Sequence, residues 1–209
     1  MTQSMLAPDL VFAELASDER IKRTVQALEA NGIQVMVADN IEEAKEALFD
    51  TIPEGAEVFT ATSKTLEKLG VLPEIDKRYD SIRVRLAEMD PNKQWREMVK
   101  LGAVPEYTVG SVHAVTEDGM VVIASNTGSQ LSGYAAGAAH VVWVVGAQKI
   151  VGDLDEAMRR IYEYSLPLED ARALEAYGMN SNVSKLLIVH KDPNPGRTTM
   201  IIVKENLGF

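Results

Sequence analysis

Along most of the chain, apolar residues recur either at helical spacing or in short unbroken runs, and the two patterns alternate. Ser17 stands as a helix cap before Ile21, Val25 and Leu28, which share one helical face, and Asn31-Gly32 closes the segment. The run IQVMVA at 33–38 reads as a strand. Asn40 and Glu43 form a capping box for a second helix with Ile41, Ala44 and Leu48 inward, and Pro53-Glu54-Gly55 turns the chain toward the strand EVFTA. After Ser63 a short helix carries Leu66 and Leu69. The charged stretch from Pro73 to Lys100 reads as mostly helical, interrupted at Asp90-Pro91. Strands that are continuously apolar, alternating with amphipathic helices, imply a parallel sheet covered on both faces.

The pattern changes at Tyr107. YTVGSVHAVTEDGMVVIAS holds two apolar runs separated by Glu117-Asp118-Gly119, as a hairpin would, so the sheet is expected to be mixed. A polar loop, SNTGSQ, follows at 125–130. Beyond it come a short helix-like stretch, LSGYAAGAA, and HVVWVVG, the most strand-like segment of the chain. Asp153 and Glu156 make another capping box, ahead of a stripe of Leu154, Ala157, Met158 and Ile161. A helix at 167–177 ends at Tyr177-Gly178. The runs SKLLIVH and TTMIIVK, joined by KDPNPGR, read as a closing hairpin. No repeat or linker interrupts residues 1–209, which are read as a single domain whose first helix, to about residue 32, is peripheral. The fold class expected is α/β: a three-layer α/β/α arrangement around a mixed sheet.

Composition narrows the functions open to such a fold. The 209 residues are 46% apolar and 25% charged, enough for one sizeable core. A net charge of -10 without a basic stripe opposes nucleic-acid binding. No run approaches the ~20 apolar residues of a membrane span, and the N-terminus lacks the charge-then-apolar pattern of a secretory signal; a cytoplasmic location is expected. With no cysteine, the chain itself can hold no disulfide, thiolate nucleophile or iron–sulfur cluster. The P-loop, dinucleotide, HExxH and GxSxG patterns are missing as well, so neither metal nor cofactor is expected.

Two polar segments remain, each where a strand hands over to a helix. In ATSKT, Thr62, Ser63 and Thr65 offer hydroxyls at a helix start and Lys64 adds a charge, a combination suited to an anion, although capping alone would also account for the hydroxyls. In SNTGSQ, capping explains one side chain but not Asn126, Thr127, Ser129 and Gln130 together, and Gly128 allows close backbone approach. Ligands of open α/β sheets bind beyond the carboxyl ends of the strands, where this loop is expected. His113 and Glu117, four apart in a presumed strand, would share a face as a His–carboxylate pair. His140 and His190 border strands and are expected to serve locally.

The same segments carry a resemblance. GAEVFTATSKTLEKLGVL, HAVTEDGMVVIASNTGSQ, VVWVVGAQKIV and DLDEAMRRIYEYSLP resemble the LUD-domain family, named for lactate utilisation, over about residues 15–178. Ser63, Thr65, Leu66 and Gly70 match its S-x-T-L-x-x-x-G segment, and Ala114, Glu117 and Gly119 match A-x-x-E-x-G. Gly146, Lys149, Ile150, Val151, Leu154, Glu156 and Ala157 match its last segment. Where many members have Thr-Gly-Thr after the glutamate, this chain has Asp118-Gly119-Met120 and lacks the hydroxyl at Met120. The resemblance implies a fold related to ribose-phosphate isomerases and CoA transferases. It also implies an accessory role in L-lactate oxidation beside iron–sulfur and oxidase subunits. Two functions follow as expectations: a component that binds a small anionic metabolite, carboxylate or phosphate, or an independent enzyme of the CoA-transferase or sugar-phosphate isomerase type with Glu117 as its catalytic group.

Overall fold

The structure is a computed structural model and describes residues 7–209. Side-chain caps start the helices where the sequence puts them. Ser17 Oγ accepts from the Arg20 amide (3.4 Å) at the head of α1 (Asp18–Ala30), and β1 (Gln34–Ala38) follows. Asn40 and Glu43 cap reciprocally, with Glu43 N donating to Asn40 Oδ1 (3.0 Å) and Asp39 N to Glu43 Oε2 (2.8 Å), to open α2 (Ile41–Thr51). Then come β2 (Glu57–Thr60), α3 (Lys64–Leu69), α4 (Leu72–Arg78), the two-residue β3 (Asp80–Ser81) and α5 (Ile82–Ala87). Asp90 caps α6 (Pro91–Ala103), whose first position is the proline. The second half holds β4 (Tyr107–Gly110), β5 (Ala114–Thr116), β6 (Val121–Ser125), β7 (His140–Gly146), β8 (Ile150–Val151), α7 (Leu154–Arg160), α8 (Leu166–Tyr177), β9 (Lys185–Val189) and β10 (Thr198–Val203). Two π-helical turns, Gly133–Gly137 and Ile161–Ser165, lie among them.

The strands form two sheets. The main one has six parallel strands in the order β1-β10-β7-β4-β2-β3. The second has four in the order β8-β5-β6-β9, and here the mixed pairing sits: β6 is antiparallel to β5 and β9, while β8 is parallel to β5. The hairpin at Glu117-Asp118-Gly119 therefore joins β5 to β6 alone, because the first apolar run is cut at Ser111–His113 and its front half, β4, belongs to the main sheet. The closing hairpin is corrected. β9 pairs with β6, whereas β10 runs parallel between β1 and β7, so KDPNPGR is a crossover between sheets rather than a hairpin turn.

Alternate residues of the central strands face opposite layers. Val142, Val144, Ile201 and Val203 pack with Leu48 of α2, Leu66 and Leu69 of α3 and Ile75 of α4. Val141, Trp143, Val145, Met200 and Ile202 pack on the other side with Ile21 and Leu28 of α1 and with Val115, Val121 and Ile123 of the second sheet. Helices thus flank the main sheet on both faces, and the small sheet shares a layer with α1. α1 is not peripheral: its apolar face belongs to the principal core, and only residues 1–6 of that N-terminal segment lie outside the described residues. The outer face of the small sheet, Ala114, Val122 and Ala124, is covered by Ala157, Ile161 and Tyr164 of α7 and the turn after it. Among the described residues no helix is long and apolar enough to cross a membrane.

Candidate functional site

Because the main sheet is parallel, the carboxyl ends of β2, β4 and β7 share one edge, and the segments leaving them, 61–64, 111–113 and 147–149, converge there. The loop after β6 and the start of α8 close the opposite side. The resulting cleft encloses about 280 Å³. It brings together Thr62, Ser63 and Lys64 from the first predicted segment, Asn126, Thr127, Ser129 and Gln130 from the second, and His113. This is the crevice where open α/β sheets bind ligands.

Several of these side chains have local partners. Thr62 Oγ1 accepts from Arg83 Nη2 (2.9 Å), Ser63 Oγ caps α3 through the Leu66 amide (3.4 Å), and Lys64 pairs with Glu67. Gly128, at φ 86°, bends the polar loop so that its amide donates to Ser125 Oγ (2.8 Å); Lys185 packs on its back. Asn126 Oδ1 accepts from Ser184 Oγ (2.9 Å). Thr65 is buried behind the cleft wall.

Glu117 is not in the cleft. β5 and β6 are antiparallel, so the loop after β6 lies at the start of β5 and Glu117 beyond its other end. Its carboxylate accepts from Arg20 Nε (2.6 Å) and from Arg23 Nε (3.0 Å) and Nη2 (2.6 Å) of α1. Desolvation opposes its ionisation, but the hydrogen bonds from Arg23 and Arg20 prevail and hold the carboxyl below the usual range. The expected pairing with His113 does not form, since the two residues flank β5 rather than lying within it. Asn31 Nδ2 donates to the carbonyls of Asp118 (3.1 Å) and Gly119 (3.3 Å), so the whole turn docks on the end of α1.

His113 Nδ1 accepts a hydrogen bond from the Ala124 amide (3.1 Å). A nitrogen that accepts carries no proton, so the ring is neutral with its hydrogen on Nε2. Burial, reinforced by the charges of Lys149 and Arg160, pushes its pKa down to about 3. His140, by contrast, stacks on Tyr107 at 4.6 Å.

Lys149 is the residue that sequence reasoning missed, having entered only as part of a family pattern. It lies in the cleft floor with 1% of its surface exposed. Its Nζ donates to Thr65 Oγ1 (3.0 Å), Ser111 Oγ (3.1 Å) and Val112 O (3.0 Å). Among the described residues no carboxylate pairs with it. Burial, with a smaller contribution from Arg160, lowers its pKa well below the ordinary lysine value. Arg160 is also fully buried. Its Nη1 donates to His113 O and to Ser165 Oγ (3.1 Å), its plane lies 5.0 Å over Tyr164, and its Nε and Nη2 have no partner. The signal available was a lone lysine in the otherwise uncharged run from His140 to Gly152. The two carboxylates that line the cleft, Glu67 and Glu169, are already engaged by Lys64 and Arg172, so Lys149 in the floor, with Arg160 buried nearby, has no acid of its own.

The model of the LUD domain matches residues 21–203. No curated protein matches the sequence. A crystal structure of a DUF162 family protein from Deinococcus radiodurans is similar, with a TM-score of 0.58 at 10% sequence identity, covering 91% of this chain and 99% of the other. At that identity the likeness speaks for the fold, and it agrees with the layered arrangement described above. The family match spans most of the chain and includes both polar segments and Lys149: this protein belongs to the LUD domain family, associated with lactate utilisation.

Proposed function

We propose that the cleft binds a small organic anion, a carboxylate or a phosphate, and that the chain serves organic-acid utilisation in the cytoplasm as the binding component, with lactate among its candidate ligands. The observation that carries this reading is Lys149. Burying a cation without an acid is unfavourable unless something supplies the missing charge, and a ligand anion would do so. His113 Nε2–H and the loop hydroxyls add donors for the remaining ligand oxygens. In such a pathway the iron–sulfur and oxidase subunits would be separate chains and the partners of this one, since it has no cysteine to hold a cluster. Turnover by Glu117, as in a CoA transferase, draws no support from a carboxylate engaged by two arginines outside the cleft.

The test is thermal unfolding with lactate, acetate, succinate and inorganic phosphate, on wild type and Lys149→Met. A ligand at 100 times its Kd adds about 2.7 kcal/mol to stability. Loss of a charge-assisted hydrogen bond should weaken binding of the stabilising anion by about 1.5–3 kcal/mol in the variant. Equal stabilisation of both proteins, or of neither by any of the four anions, would refute the reading.

A further inference from the structure

The anion-binding reading uses Lys149 only as a charge, yet its hydrogen bonds fit a neutral amine as well. An ammonium needs three acceptors and has them. An amine needs two acceptors and one donor. Thr65 gives its own hydrogen to Leu207 O (3.1 Å), so toward Lys149 it can only accept, and the Val112 carbonyl can only accept. Ser111 Oγ makes no other hydrogen bond among the described residues and is free to turn its hydrogen toward nitrogen. Every bond in the set therefore survives loss of the proton. The lone pair is then directed at Ser111, whose side chain lines the cleft. The lowered pKa of Lys149 and the neighbouring charge of Arg160 both favour that neutral form.

We propose that Lys149 is a nucleophile that condenses reversibly with a small carbonyl compound bearing an anionic group, either a 2-oxo acid or a phosphorylated ketone, to form an imine in the cleft. The proposal rests on the anion-binding reading of the same site. The Nζ lone pair bonds to the carbonyl carbon while the carbon–oxygen π pair moves to oxygen. The two hydrogens of nitrogen pass to that oxygen, which leaves as water, so amine plus carbonyl gives imine plus water with no oxidant or reductant. His113 lines the cleft, and its ring, with Nδ1 taken by the Ala124 amide, keeps Nε2–H as a neutral donor suited to the carbonyl oxygen. Protonation of the imine then restores one positive charge beside the ligand's own anion, in place of the ammonium.

The experiment is reductive trapping. The full chain is incubated with pyruvate or with dihydroxyacetone phosphate, treated with sodium borohydride, digested and mapped by mass spectrometry. The expected result is a reduced adduct on the Lys149 peptide at least tenfold above that on Lys64, which is half-buried at the cleft mouth, and its loss in Lys149→Arg. A urea midpoint for the same variant checks that it is folded. An adduct with pyruvate alone assigns the 2-oxo acid, with dihydroxyacetone phosphate alone the phosphorylated ketone, and either supports the proposal. No adduct on Lys149, or adducts spread evenly over exposed lysines, would overturn it. If an anion still stabilises wild type in that case, the condensation fails and the anion site stands; if none does, both fail.

Discussion

Glu117 and His113 mark the two ends of the short strand β5, and their environments set opposite expectations. Replacing Glu117 by Gln removes two partly exposed ion pairs and should lower the urea-derived stability by about 1 kcal/mol while leaving anion binding in the cleft unchanged. A depressed carboxyl pKa stabilises the fold above the unfolded value of 4.5, and that contribution fades as pH falls through the folded value. His113 acts at higher pH. Between 6.5 and about 3 the unfolded chain binds a proton that the folded ring refuses, so stability falls as pH falls through that window. From pH 6.5 to 5, before most carboxylates titrate, wild type should lose up to about 2 kcal/mol more than His113→Asn, which keeps an acceptor for the Ala124 amide. Urea midpoints of both proteins at the two pH values measure it. Lys64→Ala, at a residue already paired with Glu67 on the surface, should change anion affinity by less than about 0.5 kcal/mol. What the sequence could not reveal at this scale was partnership. Lys64 and Lys149 are the same residue type beside similar hydroxyls, and only the fold buries one of them beneath Ser111 while leaving the other beside Glu67.

At the scale of elements, what is local was legible. The caps at Ser17, Asn40 and Asp153 depend on residues three positions apart, and each forms, the last with Glu156 N at 2.8 Å from Asp153 Oδ1. The turn after β5 was legible too, but not its purpose. Gly119 has φ 85°, and a methyl group there would stand 2.9 Å from the carbonyl oxygen of Ala27, so the glycine is where the small sheet meets the last turn of α1. Gly119→Ala should therefore cost about 2–4 kcal/mol in a urea titration, combining strained backbone with a clash that backbone atoms cannot relieve. The spacing of Glu117 and Gly119 then has a structural account in this chain: the glutamate grips Arg20 and Arg23 while the glycine admits the helix end. SKLLIVH and TTMIIVK misled because KDPNPGR has the composition of a hairpin turn, whereas strand partners are chosen by surfaces far away in sequence. Ile201 and Val203 bury one face on α2 and α3 and Met200 and Ile202 the other on α1, which only a central position allows.

For the molecule as a whole, the two layers that meet at the cleft are held by different parts of the chain. The main-sheet side, with Thr62, Ser111 and Lys149, is fixed by parallel strands, while the other side, with Asn126 to Gln130 and Ser165, belongs to the small sheet and the helices outside it. The crossover that links them is pinned by Asp192, which accepts from Thr198 Oγ1 (2.5 Å) and Arg197 Nη1 (3.2 Å), while Arg197 also donates to the Gly133 carbonyl (2.8 Å). Asp192→Asn should lower stability by about 1–3 kcal/mol, because it leaves a half-buried arginine without its acid. Hydrogen exchange should find the accompanying loss of protection in β10 rather than in β9.

The position of β10 also bears on how the protein is made. Gln34 of β1 pairs with Thr199, and Thr199 in turn with Val142, so until residues 198–203 leave the ribosome β1 and β7 have an empty lane between them. A nascent chain stopped just short of Thr198 would present two unsatisfied parallel edges lined with valines, the kind of surface that invites aggregation. Such a chain should rely on holding chaperones until β10 emerges, then close its sheet slowly, as topologies with distant pairings do. Arrest at successive lengths with limited proteolysis would show protection of β1 and β7 appearing only once residue 203 is free.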